Sequence, residues 1–460
     1  MKLHAIILAA GKGSRMKSNI PKVLHPIASR PMLHRVLETA NTLDPEQLNL
    51  VLGHGRDQIE QSLADSTKTV NVVLQAEQLG TGHAVSLAMD HIPDESISLV
   101  LYGDVPLITR QTLTRCVEAA QQQNLGVVTA NVADPAELGR IVRDANGSIE
   151  SIVEYKDATP QQRAINEINS GILAAPTALL RDWLKNLKTD NSQGEYYLTD
   201  VVAMAVADRV AVTGVVAENE HEVLGINDRV QLAQAERIVQ RQQTQALMQQ
   251  GVTFADPERV DIRGRLRCGI DCFIDVNTVF VGDVTLADEV IVGPGSVVQD
   301  SVIGSAVTIQ ANTIVEGAVV GDDCTLGPFA RIRPGSNFAE GVKVGNFVET
   351  KKVELGAGVK ASHLTYLGDA SVGAETNIGA GTVTCNYDGV DKHRTEIGQN
   401  AFIGTNSTLV APLEIGDGAF VAAGSTVTKD VDEETLAVGR ARQRTITQWV
   451  SPTRRKQSPE

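Results

Sequence analysis

The second half of the chain repeats an apolar residue at every sixth position. The repeat occupies Ile397, Ile403, Leu409, Ile415, Val421 and Val427, and the same frame occurs at Ile274, Phe280, Leu286, Val292 and Val298 and at Val320, Leu326, Ile332, Phe338 and Val344. Six residues is too long for a helical period of about 3.6 and equals three strand periods of two. A short fixed repeat of this kind predicts a solenoid, here a parallel β-helix whose triangular coils each contain three hexads.

The first half of the chain alternates apolar strand-like runs with helical stretches. Strand patterns include residues 4–8, 48–52 and 97–101, and helical patterns include 31–41 and 81–90. This alternation predicts an α/β domain over residues 1–226, with a mostly parallel sheet wrapped by helices. Residues 227–250 contain no glycine or proline and predict one helical linker. The β-helix domain then covers 251–460, with a polar tail that leaves the period after Arg440.

Charge and composition narrow the range of partners. The 460-residue chain carries a formal charge of −15, which argues against a nucleic-acid binder but allows a local basic pocket for phosphates. No apolar run of about 18 residues occurs, so no membrane insertion is predicted. Five scattered cysteines predict free thiols in a reducing compartment, and therefore a cytoplasmic protein.

A glycine loop follows the first apolar strand. The string Leu8-Ala9-Ala10-Gly11-Lys12-Gly13-Ser14-Arg15-Met16 is followed by Pro21-Lys22. Gly11 and Gly13 let backbone N–H groups approach a phosphate, and Arg15 and Lys22 add positive charge. Met16 holds the place of a third glycine, which disfavours a nicotinamide fingerprint, and the spacing of a Walker loop is absent. A tight turn without a ligand is the alternative that these residues alone leave open.

Asp104 follows another apolar run, in the string Tyr102-Gly103-Asp104-Val105-Pro106. In an open α/β sheet, the carboxyl ends of the strands face the ligand crevice. An isolated carboxylate at that edge is a natural Mg²⁺ ligand, with substrate phosphates completing the coordination. The alternative role of Asp104 is to cap a helix over residues 109–120.

These strings together resemble a known family. LAAGKGSRM with PKVL is similar to the signature of sugar-nucleotide pyrophosphorylases. Its combination with the hexads resembles the bacterial bifunctional N-acetylglucosamine-1-phosphate uridylyltransferases and glucosamine-1-phosphate N-acetyltransferases, from Ala5 to about Arg440. The resemblance implies UDP-sugar contacts from Leu8, Ala9, Ala10, Gly11, Lys22, Gln75, Gly80, Thr81, Tyr102, Gly103, Asp104, Gly139, Glu154, Asn169 and Asn227. It also implies that Asp104 and Asn227 bind Mg²⁺, with Arg15 and Lys22 stabilising the charge that develops on the phosphates.

One histidine lies in a part of the repeat that is unusually rich in long functional side chains. His363 is part of the string Lys360-Ala361-Ser362-His363-Leu364-Thr365-Tyr366. A neutral imidazole suits the removal of a proton from an amine, and a general base of this type contributes about 10²–10⁴ in rate. A lone histidine is more often a surface residue, but this string resembles the catalytic position of the bifunctional family.

The resemblance extends to the substrates of the second site. It implies that Arg333, Lys351, Tyr366 and Asn377 bind the amino-sugar phosphate and that Ala380, Asn386, Tyr387, Thr405, Ala423 and Arg440 bind acetyl-CoA. It further implies an α/β Rossmann-like nucleotidyltransferase domain over residues 1–226, a left-handed parallel β-helix, and a homotrimer with active sites between neighbours. The expected activity is acetyl transfer to glucosamine 1-phosphate with His363 as general base. Mg²⁺-dependent uridylyl transfer from UTP to N-acetylglucosamine 1-phosphate follows, and it provides a precursor for the cell wall.

Two other functions compete with this one. A pyrophosphorylase with a single activity could carry a β-helix that only assembles or regulates it, and a pyrophosphorylase-related binding subunit would have no activity. The presence of Arg15, Lys22 and Asp104 argues against the binding subunit. The complete string around His363, together with an insertion at 384–396 that has to loop out of the coil, argues against the single-activity enzyme.

Overall fold

The computed structural model describes residues 1–64 and 70–455, and the chain divides into two compact units. The first unit ends at Gln240 and the second begins at Arg241. This division falls within a helix at Arg229–Gln249, in the part of the chain where the sequence predicts the linker.

The first unit alternates strands with helices. Its strands are β1 (Lys2–Ala9), β2 (Pro26–Ile27), β3 (Arg30–Pro31), β4 (Gln47–Leu52), β5 (Val70–Leu74), β6 (Ser96–Tyr102), β7 (Leu125–Asn131), β8 (Arg140–Arg143), β9 (Ile149–Val153), β10 (Glu167–Pro176) and β11 (Val212–Val216). Its helices are α1 (Met32–Asn41), α2 (Arg56–Ser62), α3 (Thr81–Met89), α4 (Arg110–Gln121), α5 (Pro160–Arg163), α6 (Thr177–Lys185) and α7 (Asp200–Ala207), and α8 (Arg229–Gln249) contains the division. Short 3₁₀ turns lie at Ser14–Met16, Lys22–Leu24 and Glu220–Val223.

The main sheet of the first unit has the strand order β11-β7-β10-β6-β1-β4-β5. β1 pairs in parallel with β4 on one side and with β6 on the other, so successive strands are added on opposite sides of β1. Leu8 pairs with Tyr102, which brings the ends of β1 and β6 side by side. In open α/β sheets, ligands bind at such a switch point.

Both faces of β1 are buried, which explains why its sequence is a continuous apolar run. Ala5 and Ile7 face a core that contains Leu33 of α1 and Leu113 of α4. Ile6 faces the opposite core, together with residues of α3, α6 and α7. A largely parallel sheet covered by helices on both faces confirms the predicted α/β class of this unit.

The second unit consists mainly of short strands. They are β12 (Thr253–Phe254), β13 (Asp261–Cys268), β14 (Phe273–Ile274), β15 (Val279–Leu286), β16 (Ile291–Val292), β17 (Val297–Gln299), β18 (Val302–Ile303), β19 (Thr308–Ile309), β20 (Ile314–Glu316), β21 (Val319–Val320), β22 (Thr325–Leu326), β23 (Arg331–Ile332), β24 (Asn337–Phe338), β25 (Lys343–Asn346), β26 (Glu349–Leu355), β27 (Lys360–His363), β28 (Tyr366–Val372), β29 (Asn377–Ile378), β30 (Val383–Cys385), β31 (Thr395–Ile397), β32 (Phe402–Ile403), β33 (Thr408–Val410), β34 (Leu413–Ile415), β35 (Phe420–Val421), β36 (Thr426–Val427) and β37 (Leu436–Ala437). A 3₁₀ turn lies at Pro257–Arg259, and α9 is Pro452–Arg455. The polar end of the tail, 456–460, lies outside the described residues. Among the helices of 1–64 and 70–455, none has both the length and the apolar character needed to cross a bilayer.

Strands of the second unit pair in parallel with strands one coil further along the chain. Val344 pairs with Ala361, and Ala361 pairs with Ile378, each 17 residues on. All the apolar positions of the six-residue repeat are buried inside the coil. The parallel β-helix predicted from the repeat is therefore confirmed.

The segment 384–396 is an insertion between coils. Ile378 pairs with Ile403, which lies 25 residues on, whereas Val344 pairs with Ala361 after 17 residues and Phe273 with Ile291 after 18. Within the insertion, Tyr387 forms an antiparallel bridge with Lys392. The extra residues therefore leave the coil as a short hairpin.

Candidate active sites

An open crevice of about 230 Å³ lies where β1 and β6 end. It is lined by Leu8, Ala9, Ala10, Gly11, Lys22, Val23, Gln75, Gln78, Gly80, Thr81, Ala84, Tyr102, Asp104 and Glu195. Most of the residues predicted to contact a UDP-sugar therefore lie together. Gly103 is buried beside the crevice, where its N–H donates to the Leu8 carbonyl at 2.9 Å.

The turn between β5 and α3 closes one side of the crevice. Gln75 Nε2 donates to the Gly80 carbonyl at 3.2 Å, which holds the turn closed. Gln78 Nε2 donates to the Ala10 carbonyl at 2.6 Å and joins the turn to the glycine loop. Gln78 has no role in the sequence prediction, although it lies three residues after Gln75.

Lys22 links the two predicted metal ligands. Its Nζ forms a short ion pair with Asp104 Oδ2 and donates to Asn227 Oδ1 at 3.1 Å. Two side-chain oxygens therefore converge on one positive charge, and oxygen atoms are the donors that Mg²⁺ prefers. Within the part of the chain that the structure describes, no group of three or more His, Cys, Asp or Glu side chains could hold a metal ion. With two protein ligands, a Mg²⁺ ion here would take its remaining ligands from phosphates and water.

Arg15 differs from Lys22 in its position. It lies exposed in the 3₁₀ turn Ser14–Met16, which is anchored by the buried side chain of Met16. Lys22 lines the crevice and Arg15 does not. The structure therefore brings only one of the two predicted cationic residues into the crevice.

A second group of predicted UDP-sugar residues lies on the adjoining strands β8 to β10. The Asn169 N–H donates to the Gly139 carbonyl at 2.9 Å, and a β-carbon added to Gly139 would lie 3.5 Å from Glu154 Oε2. Burial raises the pKa of the Glu154 carboxyl, and a hydrogen bond of 3.2 Å from the Thr199 hydroxyl opposes that increase. Gly139, Glu154 and Asn169 are therefore neighbours of one another.

Gly171 connects this group to the crevice. Its N–H donates to Asn169 Oδ1 at 3.0 Å, and its φ is +82°. A β-carbon added to Gly171 would lie 2.6 Å from the nearest ring carbon of Tyr102. Glycine is needed here both for the left-handed backbone and for the space beside the ring.

We expect Gly171→Ala to destabilise the first unit more than Gly147→Ala does. The two glycines have nearly the same φ, +82° and +83°, so the backbone strain is matched. A β-carbon on Gly147 meets no atom within 4 Å, whereas one on Gly171 overlaps the Tyr102 ring. This overpacking adds about 1–3 kcal/mol and lowers the midpoint of urea unfolding. Equal midpoints for the two variants would contradict the packing of Gly171 on Tyr102.

His363 belongs to a column of residues on one sheet of the β-helix. The column contains Asn346, His363, Ala380, Thr405 and Ala423, one from each successive coil. Backbone hydrogen bonds support this register, because the Asn406 N–H donates to the Ala380 carbonyl and the Gly424 N–H to the Thr405 carbonyl, both at 2.7 Å. His363 is exposed, so the predicted general base and three predicted acetyl-CoA residues share one accessible strip.

Three predicted sugar-phosphate residues lie on the neighbouring sheet or at its edge. They are Arg333, Lys351 and Tyr366. Arg333 Nη1 donates to Glu349 Oε1 at 2.8 Å, and Lys351 Nζ lies 3.9 Å from Asp369 Oδ2. The adjacent Lys392 side chain lowers the pKa of Lys351. Arg333, Lys351 and Lys392 are therefore neighbours and form a cationic group, which suits phosphate binding.

The insertion 384–396 supplies two side chains to this cationic group. Asn386, predicted to bind acetyl-CoA, donates from Nδ2 to Asp369 through a short hydrogen bond. It therefore lies with Lys351 and not in the column of His363. Lys392 has no role in the sequence prediction, and its only signal is its place in a segment that leaves the coil.

The remaining predicted residues of the second site are Asn377, Tyr387 and Arg440. Asn377 is on β29, in the same sheet as His363 and three residues before Ala380. Tyr387 is 59% exposed, and its hydroxyl donates to the Gly389 carbonyl at 2.6 Å. Arg440 is also exposed, at the end of the coils.

Models of known families match parts of both units. Residues 5–223 match the MobA-like NTP transferase domain. Residues 267–355 match the GMPPB C-terminal domain, and residues 394–429 match the bacterial transferase hexapeptide with six repeats.

Several proteins are similar to this chain over nearly its whole length. The bifunctional protein GlmU of Marinobacter nauticus is 51% identical over 450 residues, which cover 98% of this chain and 99% of that protein. The bifunctional protein GlmU of Stutzerimonas stutzeri is 52% identical over 455 residues, covering 99% and 100%. The bifunctional protein GlmU of Acinetobacter baumannii is 51% identical over 443 residues, covering 96% and 97%.

Proposed function

Because this chain belongs to the family of bifunctional GlmU proteins, we propose that it makes UDP-N-acetylglucosamine in two steps, one on each unit. The first step transfers an acetyl group from acetyl-CoA to glucosamine 1-phosphate. The second transfers a uridylyl group from UTP to N-acetylglucosamine 1-phosphate and releases pyrophosphate. One observation carries the proposal. These relatives match nearly the whole chain, and the chain has both a crevice with Lys22, Asp104 and Asn227 and an exposed strip with His363.

In the acetyl transfer, His363 is the general base. With Nδ1 directed at Asn346, its Nε2 lone pair takes a proton from the amino group of the sugar. The nitrogen then bonds to the thioester carbonyl carbon, the carbon–sulfur bond breaks, and the imidazolium returns the proton to the CoA sulfur. Arg333, Lys351, Tyr366 and Asn377 bind the sugar phosphate, and Ala380, Asn386, Tyr387, Thr405, Ala423 and Arg440 contact acetyl-CoA.

The uridylyl transfer depends on positioning and charge neutralisation. A phosphate oxygen of the sugar attacks the α-phosphorus of UTP, and no general base is needed because this phosphate is already ionised. Lys22 in the crevice, with Arg15, neutralises charge on the phosphates, and Gln75 with the following turn binds the uracil. Mg²⁺ held by Asp104 and Asn227 would add further charge neutralisation.

The assembly we propose is a cytoplasmic homotrimer. Lys351 and Tyr366 lie on one sheet of the β-helix, with Arg333 at its edge, and Asn377 lies on the other sheet. This distribution suits an amino-sugar site completed by a neighbouring chain. Light scattering should give three times the chain mass of 49.1 kDa. A monomer with full acetyl-transfer activity would contradict this assembly.

One reaction with two readouts tests the proposed function. Full-length protein is incubated with glucosamine 1-phosphate, acetyl-CoA, UTP and Mg²⁺, and free thiol and pyrophosphate are followed separately. Both products are expected, and pyrophosphate should depend on acetyl-CoA unless N-acetylglucosamine 1-phosphate is supplied. Pyrophosphate from that supplied substrate without any thiol release would favour the single-activity enzyme, and neither product would favour the binding subunit.

A further inference from the structure

We propose that Asn346 positions His363 and selects the imidazole tautomer that can act as a base. The proposal rests on the acetyl transfer proposed above. Asn346 ends β25 and His363 ends β27, and the two residues are direct partners in the parallel pairing of successive coils. Asn346 Oδ1 lies 2.8 Å from His363 Nδ1, which is hydrogen-bonding distance.

The backbone around this pair is closely packed. The Leu364 N–H donates to the Asn346 carbonyl at 3.0 Å, which joins the two coils immediately after the pair. Just before it, a β-carbon on Gly345 would lie 1.9 Å from the Ser362 carbonyl oxygen. Asn346 is half-buried while His363 is exposed. The amide is therefore held by the coil, and the imidazole is the partner that needs orientation.

The direction of the hydrogen bond decides whether His363 can accept a proton. A neutral imidazole has one N–H and one lone pair, so donation from Nδ1 leaves the lone pair on Nε2. With the Asn346 amide turned the other way, its N–H would donate to Nδ1, and Nε2 would carry the proton. Only the orientation with Oδ1 towards His363 leaves Nε2 as a base. The same bond strengthens when the imidazolium forms, because the donor is then charged.

Few charged groups lie on the strands packed against His363. Lys343 on β25 and Lys360 on β27 are strand partners. Lys343 lies three residues before Asn346, and Lys360 lies three residues before His363. The next strand and the turn after it present the neutral Asn377 and Ala380. These charges are the same in every Asn346 variant, so a difference in pH dependence between variants reports on position 346 itself.

Two substitutions of Asn346 test the proposal in the full-length protein, with glucosamine 1-phosphate and acetyl-CoA as substrates. Asn346→Ala should lower kcat by about 10–100-fold, as loss of an orienting partner does elsewhere, with KM for glucosamine 1-phosphate changed less than about twofold. Asn346→Asp should keep kcat within about threefold, because a carboxylate can only accept the Nδ1–H. Its charge stabilises the imidazolium, so the acid limb of the kcat/KM profile should move up by about one pH unit.

Asn337→Ala is the matched control, since Asn337 is an exposed strand asparagine of the same β-helix. Circular dichroism and thermal unfolding of the same preparations report on the folding of the second unit. A kcat for Asn346→Ala equal to that of the control, or an unshifted profile for Asn346→Asp, would overturn the proposal. His363→Ala is measured in parallel. If this variant retains acetyl transfer, the proposed general base is wrong. If it is inactive while Asn346→Ala is unaffected, only the positioning role of Asn346 is refuted. If Asn346→Ala does not fold, the pH profile of kcat/KM for Asn346→Asp tests the proposal by itself.

Discussion

His363→Ala should reduce acetyl transfer by about 10²–10⁴-fold and leave uridylyl transfer within about twofold of the unchanged protein. The loss follows from removing the group that takes the proton from the attacking amine. The fold should tolerate the change because His363 is exposed at the end of β27, outside the buried interior of the coil. Thiol release from acetyl-CoA and pyrophosphate release from UTP, measured on one preparation, give the two rates.

His91→Ala is the control for this substitution, because His91 is exposed and lies in the first unit after α3. It should change neither rate by more than about twofold. A large loss of uridylyl transfer in His363→Ala would show that the two sites are not independent. Retention of acetyl transfer would remove His363 as the base.

The architecture of the second unit was predictable because its repeat is local. Each coil has to bury an aliphatic side chain on every face, so the requirement appears directly as a six-residue period. All positions of that period are buried, from Ile274 to Val427. The insertion 384–396 was visible for the same reason, since it interrupts the period.

The crevice of the first unit was partly predictable because it lies at the ends of strands. Gly11 and Asp104 follow apolar runs directly, and parallel strands bring such positions to one edge of the sheet. The contact of Lys22 with both Asp104 and Asn227 was not predictable in this way. It joins residues from three distant parts of the chain, and only the folded backbone brings them together.

The partners of His363 and Lys351 illustrate the same limit in the second unit. Asn346 meets His363 only through the register of successive coils, and nothing in the local sequence marks that asparagine. Asp369 lies near Lys351 through the pairing of β26 with β28, whereas Asn386 and Lys392 reach it because a hairpin leaves the coil and returns. A repeat predicts which residues point inwards, but it does not predict which outward side chains of different coils touch.

Asp104→Ala should lower uridylyl transfer and spare acetyl transfer, which is the reverse of the effect expected for His363→Ala. This change removes the carboxylate that pairs with Lys22 and that, together with Asn227, is proposed to hold Mg²⁺. Loss of this charge neutralisation should lower kcat/KM for uridylyl transfer by about 10²–10³-fold, and acetyl transfer should stay within about twofold. Asp104→Asn, which keeps the size of the side chain without its charge, should show a similar loss and thereby exclude a packing effect.

Asp94→Ala provides the matched control, because Asp94 and Asp104 flank the two ends of β6. Asp94 forms an exposed ion pair with Arg181, and such pairs contribute only about 0–1 kcal/mol, so its removal should leave both rates nearly unchanged. Titration of Mn²⁺ in the presence of UTP, followed by electron paramagnetic resonance, measures metal binding independently of turnover. Weaker binding in Asp104→Ala than in Asp94→Ala is expected, since only the former loses a proposed ligand. Equal Mn²⁺ affinities would show that Asp104 acts through Lys22 alone.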